Sequence, residues 1–123
     1  MITAYISGHL KISNEDFTEH YVPKLAEALE RGDSFVVGDA RGVDEMAQEY
    51  LVLYTDKIKV YHMFEKPRNC AFGLETVGGF KSDEERDAAM TAASDYDIAW
   101  VRPGREDSGT ARNLKRRQGR RYD

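Results

Sequence analysis

Short apolar segments alternate with longer stretches of helical periodicity along this chain, and that alternation limits its fold more than any single motif does. Residues 2–7, 34–37, 57–62 and 96–101 are β-rich runs, set off by Gly8, Gly32 and Gly38 or by polar turns. Between the first two, Phe17, Tyr21, Val22, Leu25, Ala28 and Leu29 recur at helical spacing, which predicts a helix over 15–31 with Asn14 as N-cap and Gly32 closing it. Pro23 lies inside that pattern and implies a kink, or a helix that starts properly there, where proline suits a first turn. Val43, Met46, Ala47, Tyr50, Leu51 and Tyr54 mark a second helix. Ser82 and Glu85 suit a capping box for a third, with Ala88, Ala89, Ala92 and Ala93 as a small-residue face. A last helix begins near Gly109. Strands that alternate with helices pair in parallel, so the expected fold class is α/β: a doubly wound, mainly parallel sheet of four or five strands flanked by helices, a Rossmann-like three-layer sandwich.

Residues 64–80 hold Pro67, Gly73, Gly78 and Gly79 and show no period, which predicts a long loop of the lid or binding type, with 57–62 as a sheet edge. At 123 residues the chain is read as one domain, 1–123, with a basic C-terminal tail. No apolar run approaches the roughly 20 residues that cross a bilayer, so no membrane partner and a cytoplasmic location are expected. Cys70 is the only cysteine, and with His9, His20 and His62 scattered no metal or other cofactor is expected. Residues 112–121 carry Arg112, Lys115, Arg116, Arg117, Arg120 and Arg121 with no acidic residue, although the whole chain has a net charge of -4. Such a run is a solvated helix face or a contact for nucleic acid, a phosphorylated ligand or the acidic face of another copy; the acidic total and the lack of interleaved aromatics favour the solvated face over nucleic acid. A sheet edge and a helix face left to cover predict a homo-oligomer.

In open parallel sheets ligands bind beyond the carboxyl ends of the strands, where strand order reverses. Three loops fall there. Ser7, Gly8 and His9 follow the first run and would let a ligand approach closely. Gly38, Asp39, Ala40, Arg41, Gly42 and Asp44 frame a turn from the second run into a helix, where backbone N–H groups favour an anion and Arg41 can pair with phosphate. Ser108, Gly109 and Thr110 supply a second anion cradle with two hydroxyls. Each has a plainer reading as a tight turn or helix cap; their coincidence points to a ligand site.

The order Tyr5-Ile6-Ser7-Gly8, then Gly38-Asp39-Ala40-Arg41-Gly42-Val43-Asp44, then Glu85-Arg86-Asp87-Ala88-Ala89-Met90, then Ser94-Asp95-Tyr96-Asp97-Ile98-Ala99 and Ser108-Gly109-Thr110 resembles the SLOG superfamily of Rossmann-like nucleotide-binding proteins. It is similar also to the related nucleoside 2-deoxyribosyltransferases and nucleoside-monophosphate phosphoribohydrolases. The resemblance implies a nucleotide or nucleotide-derived ligand, with phosphate on the glycine loops. Members that cleave an N-glycosidic bond place a glutamate shortly after the Gly-Thr pair, and here that place is held by Asn113. An amide is neither a carboxylate nucleophile nor a counter-charge for a ribosyl cation.

A non-catalytic nucleotide-binding or sensing module is therefore the expectation. The alternative is an N-glycosidase or deoxyribosyltransferase using a displaced carboxylate, with Asp39, Asp44 and Asp107 as catalytic candidates near the predicted strand ends. A nucleic-acid accessory protein acting through the basic terminus is the third reading.

Overall fold

A computed structural model describes residues 1–71 and 73–122, the last four by backbone alone. Among them, five strands form one sheet: β1 (Thr3–Ile6), β2 (Ser34–Gly38), β3 (Ile58–Met63), β4 (Glu75–Phe80) and β5 (Tyr96–Ile98). Their spatial order is β4-β3-β2-β1-β5, and every neighbouring pair is parallel. Five helices flank it: α1 (Asn14–His20), α2 (Val22–Arg31), α3 (Val43–Leu51), α4 (Asp83–Ala92) and α5 (Gly109–Tyr122). This is the doubly wound α/β sandwich the alternation predicts. The chain steps outward from β1 to β4 and then returns to the far side of β1, so strand order reverses between β1 and its neighbours.

The period-2 geometry of the strands sorts side chains between two cores. Ala4, Ile6, Phe35, Val37, Ile58 and Val60 face one way and meet Phe17, Tyr21, Leu25, Ala28, Val43, Ala47 and Leu51 of the α1–α3 layer. Tyr5, Val36 and Tyr61 face the other way and meet Met90 of α4. Because both faces are covered, the central strands read as continuous apolar runs.

The 15–31 pattern resolves into two helices. Tyr21 ends α1 and begins α2, and Pro23 occupies the first turn of the new helix, where its missing N–H is not needed. The N-cap of α1 is Ser13, one residue earlier than expected: its side chain accepts from the Asp16 N–H. Tyr21 also bridges strands, donating its hydroxyl to Ser7 O at 2.8 Å and accepting from the Trp100 N–H at 3.0 Å. The strand expected over 96–101 is shorter, three residues.

Residues 64–80 depart further from expectation. Their last six residues are β4, so the connection expected over 64–80 shortens to 64–74, and β3 is interior rather than an edge. The connection from β3 to β4 is a parallel crossover with no helix among its described residues. Polar bonds take the helix's place. Gln48 of α3, 2% exposed, donates to Gly38 O and Asn69 O and accepts from the Ala71 N–H at 2.8 Å. Cys70 and Leu74 pack on the α1–α3 core.

Candidate functional site

A cleft of about 350 Å³ opens at the carboxyl ends of β1 and β2, between the N-termini of α4 and α5. It lies at the reversal of strand order, where parallel sheets bind ligands. Its floor includes Tyr5, Ser7, Gly38, Asp44 and Asn113. One wall is basic and hydroxylic, with Arg105, Ser108, Gly109, Thr110, Arg112 and Arg116; the other is acidic, with Asp83, Glu84 and Asp87 of α4.

The basic wall is a helix N-terminus. Ser108 caps α5, its hydroxyl accepting from the Ala111 N–H at 3.2 Å. The N–H groups of Gly109 and Thr110, in the first turn, have no partner within the helix. Ser7 faces the same cleft from the end of β1. It is 5% exposed, and its hydroxyl oxygen has no hydrogen-bond partner among the described residues. Arg112 donates to Asp107 O at 2.8 Å, and Arg116 donates to the Asn113 side-chain oxygen at 2.6 Å. Asn113 is buried, and its amide nitrogen donates to the Tyr5 hydroxyl at 3.0 Å. This amide therefore locks a cleft arginine to the sheet.

The floor beside β2 is built around Asp44 and Arg86. A Cβ on Gly38 would stand 2.5 Å from Asp44 Oδ2 and 3.3 Å from the Arg86 guanidinium carbon, so only glycine lets both groups reach the strand end. Asp44 accepts from the Ala40 N–H at 3.2 Å. Burial pushes its carboxyl up to about 7, opposed by the nearby Arg86 charge and the Ala40 bond. Burial also raises the Tyr5 hydroxyl well above its ordinary value, with the charges of Asp87 and Asp44 adding to it.

The other sequence candidates are placed as follows. Gly8, His9 and Ala40 line the cleft. Gly8 is required by packing, because a Cβ there would strike Val43 and the Tyr21 hydroxyl. His9 Nε2 accepts from the Arg102 N–H at 2.9 Å, and burial together with Arg102 and Arg105 lowers its pKa. Gly42, with φ +77, packs on the His9 and Leu10 carbonyls, and the Val43 N–H goes to His9 O. The N-terminus of α3 is thus closed by the chain after β1, and Gly42 does not line the cleft. Arg41 is exposed and outside the cleft, as is Asp107.

Asp39 is not at the cleft surface but beneath a charge network. It accepts from the Arg68 N–H at 2.7 Å, from Arg68 Nη2 at 2.8 Å and from Arg86 Nη1 at 2.7 Å. Burial would raise its carboxyl, but the Arg68 bonds and the two guanidinium charges outweigh this and hold it below the usual range. Arg86 also donates to Asp87 at 3.0 Å. Tyr5, Arg86, Arg105, Arg112, Arg116 and the α4 carboxylates were not singled out as site residues. Arg112 and Arg116 fall in the basic run, four apart and hence on one helix face. Arg117 of that run is structural, donating to Asp97 at 2.8 Å and to Ser94. The side chains of Arg120 and Arg121 lie outside the described residues.

No family model matches the chain, and no curated protein matches it. A solved structure does: that of DNA processing protein A from Helicobacter pylori, described for its single-stranded DNA binding mode. The two superpose with a TM-score of 0.61 at 17% sequence identity, over 95% of this chain and 62% of that one. The likeness is one of fold, Rossmann-like. The chain spans less than two-thirds of that protein's chain. No helix among the described residues is long and apolar enough to cross a membrane.

Proposed function

We propose that this protein binds a nucleotide or nucleotide-derived ligand through its phosphate, at the N-terminus of α5, and holds it without turnover. The observation that carries the reading is Ser7: a buried hydroxyl with no partner among the described residues, lining the same cleft as Gly109 and Thr110 of the first turn of α5, whose N–H groups have no partner within the helix. A buried polar group left unpaired costs about 1–3 kcal/mol, which a phosphate oxygen would recover. Arg105, Arg112 and Arg116 add positive charge on the same wall. The SLOG resemblance supports the same ligand class. Binding without cleavage follows from Asn113 standing where a glutamate would be needed, and from the placement of the carboxylates. Asp39 is ion-paired, Asp107 lies outside the cleft, and Asp44 alone of the three lines it.

Titration calorimetry with AMP tests this. Ser7→Ala should weaken AMP about tenfold, the scale of a hydrogen bond to a charged group, without lowering the stability of the free protein. Unchanged affinity would remove the reading's main support. Incubation with a nucleotide panel should release no free base by chromatography; release would restore the glycosidase alternative and make Asp44 its candidate.

A second reading, single-stranded nucleic acid, is favoured by the structural likeness and by the arginine wall. It predicts affinity for a short single strand that falls steeply with salt. Replacing Arg105, Arg112 and Arg116 together by alanine should reduce the slope of log K against log salt by about 2, from roughly 0.7 per phosphate contact. A slope unchanged by the triple substitution would count against it.

A further inference from the structure

Asp44 enters the cleft with one oxygen unused. It is 7% exposed, Oδ2 accepts from the Ala40 N–H, and no hydrogen bond or ion pair among the described residues reaches Oδ1. Arg86 influences it from α4 without closing an ion pair, because its guanidinium is engaged by Asp39, Asp83 and Asp87. The other charged groups bearing on Asp44 are Asp87 of α4 and Asp39 at the end of β2, both acidic. A carboxylate withdrawn this far from water with a single donor is poorly compensated. The backbone is nevertheless shaped to keep it there, since Gly38 leaves the space that Oδ2 occupies. The acidic wall of Asp83, Glu84 and Asp87 continues the same end of the cleft. A phosphate is repelled here, whereas a neutral donor is attracted.

We propose that Asp44 is a specificity-determining residue: its free oxygen accepts a hydrogen bond from a donor group that the phosphate ligand carries away from its phosphate, either a sugar hydroxyl or an exocyclic amine. This rests on the phosphate site at α5. The cleft is then two-ended, with an anion end formed by Ser7, Ser108, Gly109 and Thr110 and a donor end formed by Asp44. Each end answers an unmet bond in the structure: the Ser7 hydroxyl and the first-turn N–H groups at one, Asp44 Oδ1 at the other.

Asp44→Asn separates the ends, because the amide oxygen still accepts from Ala40 while the charge is lost, and charge-assisted bonds are roughly twice as strong as neutral ones. Calorimetry at pH 8 compares wild type and variant with inorganic phosphate, ribose 5-phosphate, AMP and IMP. Inorganic phosphate should bind the variant as well as or better than wild type, since a negative charge has gone. AMP should weaken about tenfold. If the donor is a sugar hydroxyl, ribose 5-phosphate and IMP weaken with it; if it is the amine, AMP weakens alone. AMP affinity that follows inorganic phosphate, unchanged or improved, overturns the proposal while leaving the α5 site standing. Failure of inorganic phosphate and AMP alike to bind wild type overturns the α5 site and this inference with it. A pH series gives a second readout: the AMP-to-phosphate affinity ratio of wild type divided by that of Asp44→Asn, in which the ionisation of the ligands' own phosphates cancels, should rise from pH 6 to 8. A quotient that stays flat over that range also overturns the proposal.

Discussion

Replacing Asp39 by alanine should lower stability by about 3 kcal/mol in urea denaturation at neutral pH, because removing one partner of a buried ion pair leaves the other uncompensated. Asp39 is 1% exposed and holds Arg86, which is itself buried, as well as the backbone and side chain of Arg68. Arg86 keeps Asp87 and Asp83, which places the cost toward the low end for such changes. A loss under 1 kcal/mol would mean that the network is a surface arrangement of little weight. The pH sign follows from the lowered pKa. The folded carboxyl sits below its usual value, so the stabilisation is present above the ordinary carboxylate range of about 4 and is lost as pH falls through the lowered folded value.

Asp44→Asn should act in the opposite direction and raise the stability of the ligand-free protein at pH 8. Here the folded carboxyl is pushed up to about 7, chiefly by burial. A group whose folded pKa is raised favours the native state below its ordinary value, near 4, and that contribution disappears as pH rises through the folded value. At about 1.36 kcal/mol per pH unit, wild type should lose up to about 4 kcal/mol from this group between pH 4 and 8, which the amide does not lose. Urea midpoints of both proteins at pH 5 and pH 8 check the claim. The gap should widen in favour of the variant at the higher pH, and a constant gap would show that the acid is not protonated in the native state near neutrality. A widening gap would mean that the protein gives up stability to keep an acid in the cleft, a pattern expected of a binding group rather than a packing one.

The sheet and its cleft were legible in sequence because both depend on local signals. Apolar runs marked the strands buried on two faces, and the glycine after each of the first two runs, Gly8 and Gly38, marked the carboxyl ends near which Ser7 and Asp44 line the cleft. The fourth strand was not legible. Glu75 to Phe80 is an edge whose side chains are mostly exposed, so it carries no apolar run, and Gly78 disguises it further. That glycine is needed because the buried His62 ring of β3 fills the space its Cβ would take. The surroundings of Asp39 were hidden for another reason. Its partners Arg68 and Arg86 lie 29 and 47 positions away, so nothing near it in sequence distinguishes an ion-paired carboxylate from a catalytic one. The glycine turn at 38–44 shows a further limit: a helix start that reads as an anion cradle is closed by the His9 carbonyl, a contact across more than thirty residues.

The helix-free crossover between β3 and β4 has a consequence for how the native state opens. The described residues of this connection are tied to α3 and β2 by the Gln48, Asn69 and Asp39–Arg68 bonds, with Cys70 and Leu74 as their contacts with the apolar core, so the segment is expected to open as a unit of lower energy than the sheet. Amide protons such as that of Ala71 can then exchange with solvent through that local opening, whereas those of β1 and β2 wait for the whole sheet to come apart.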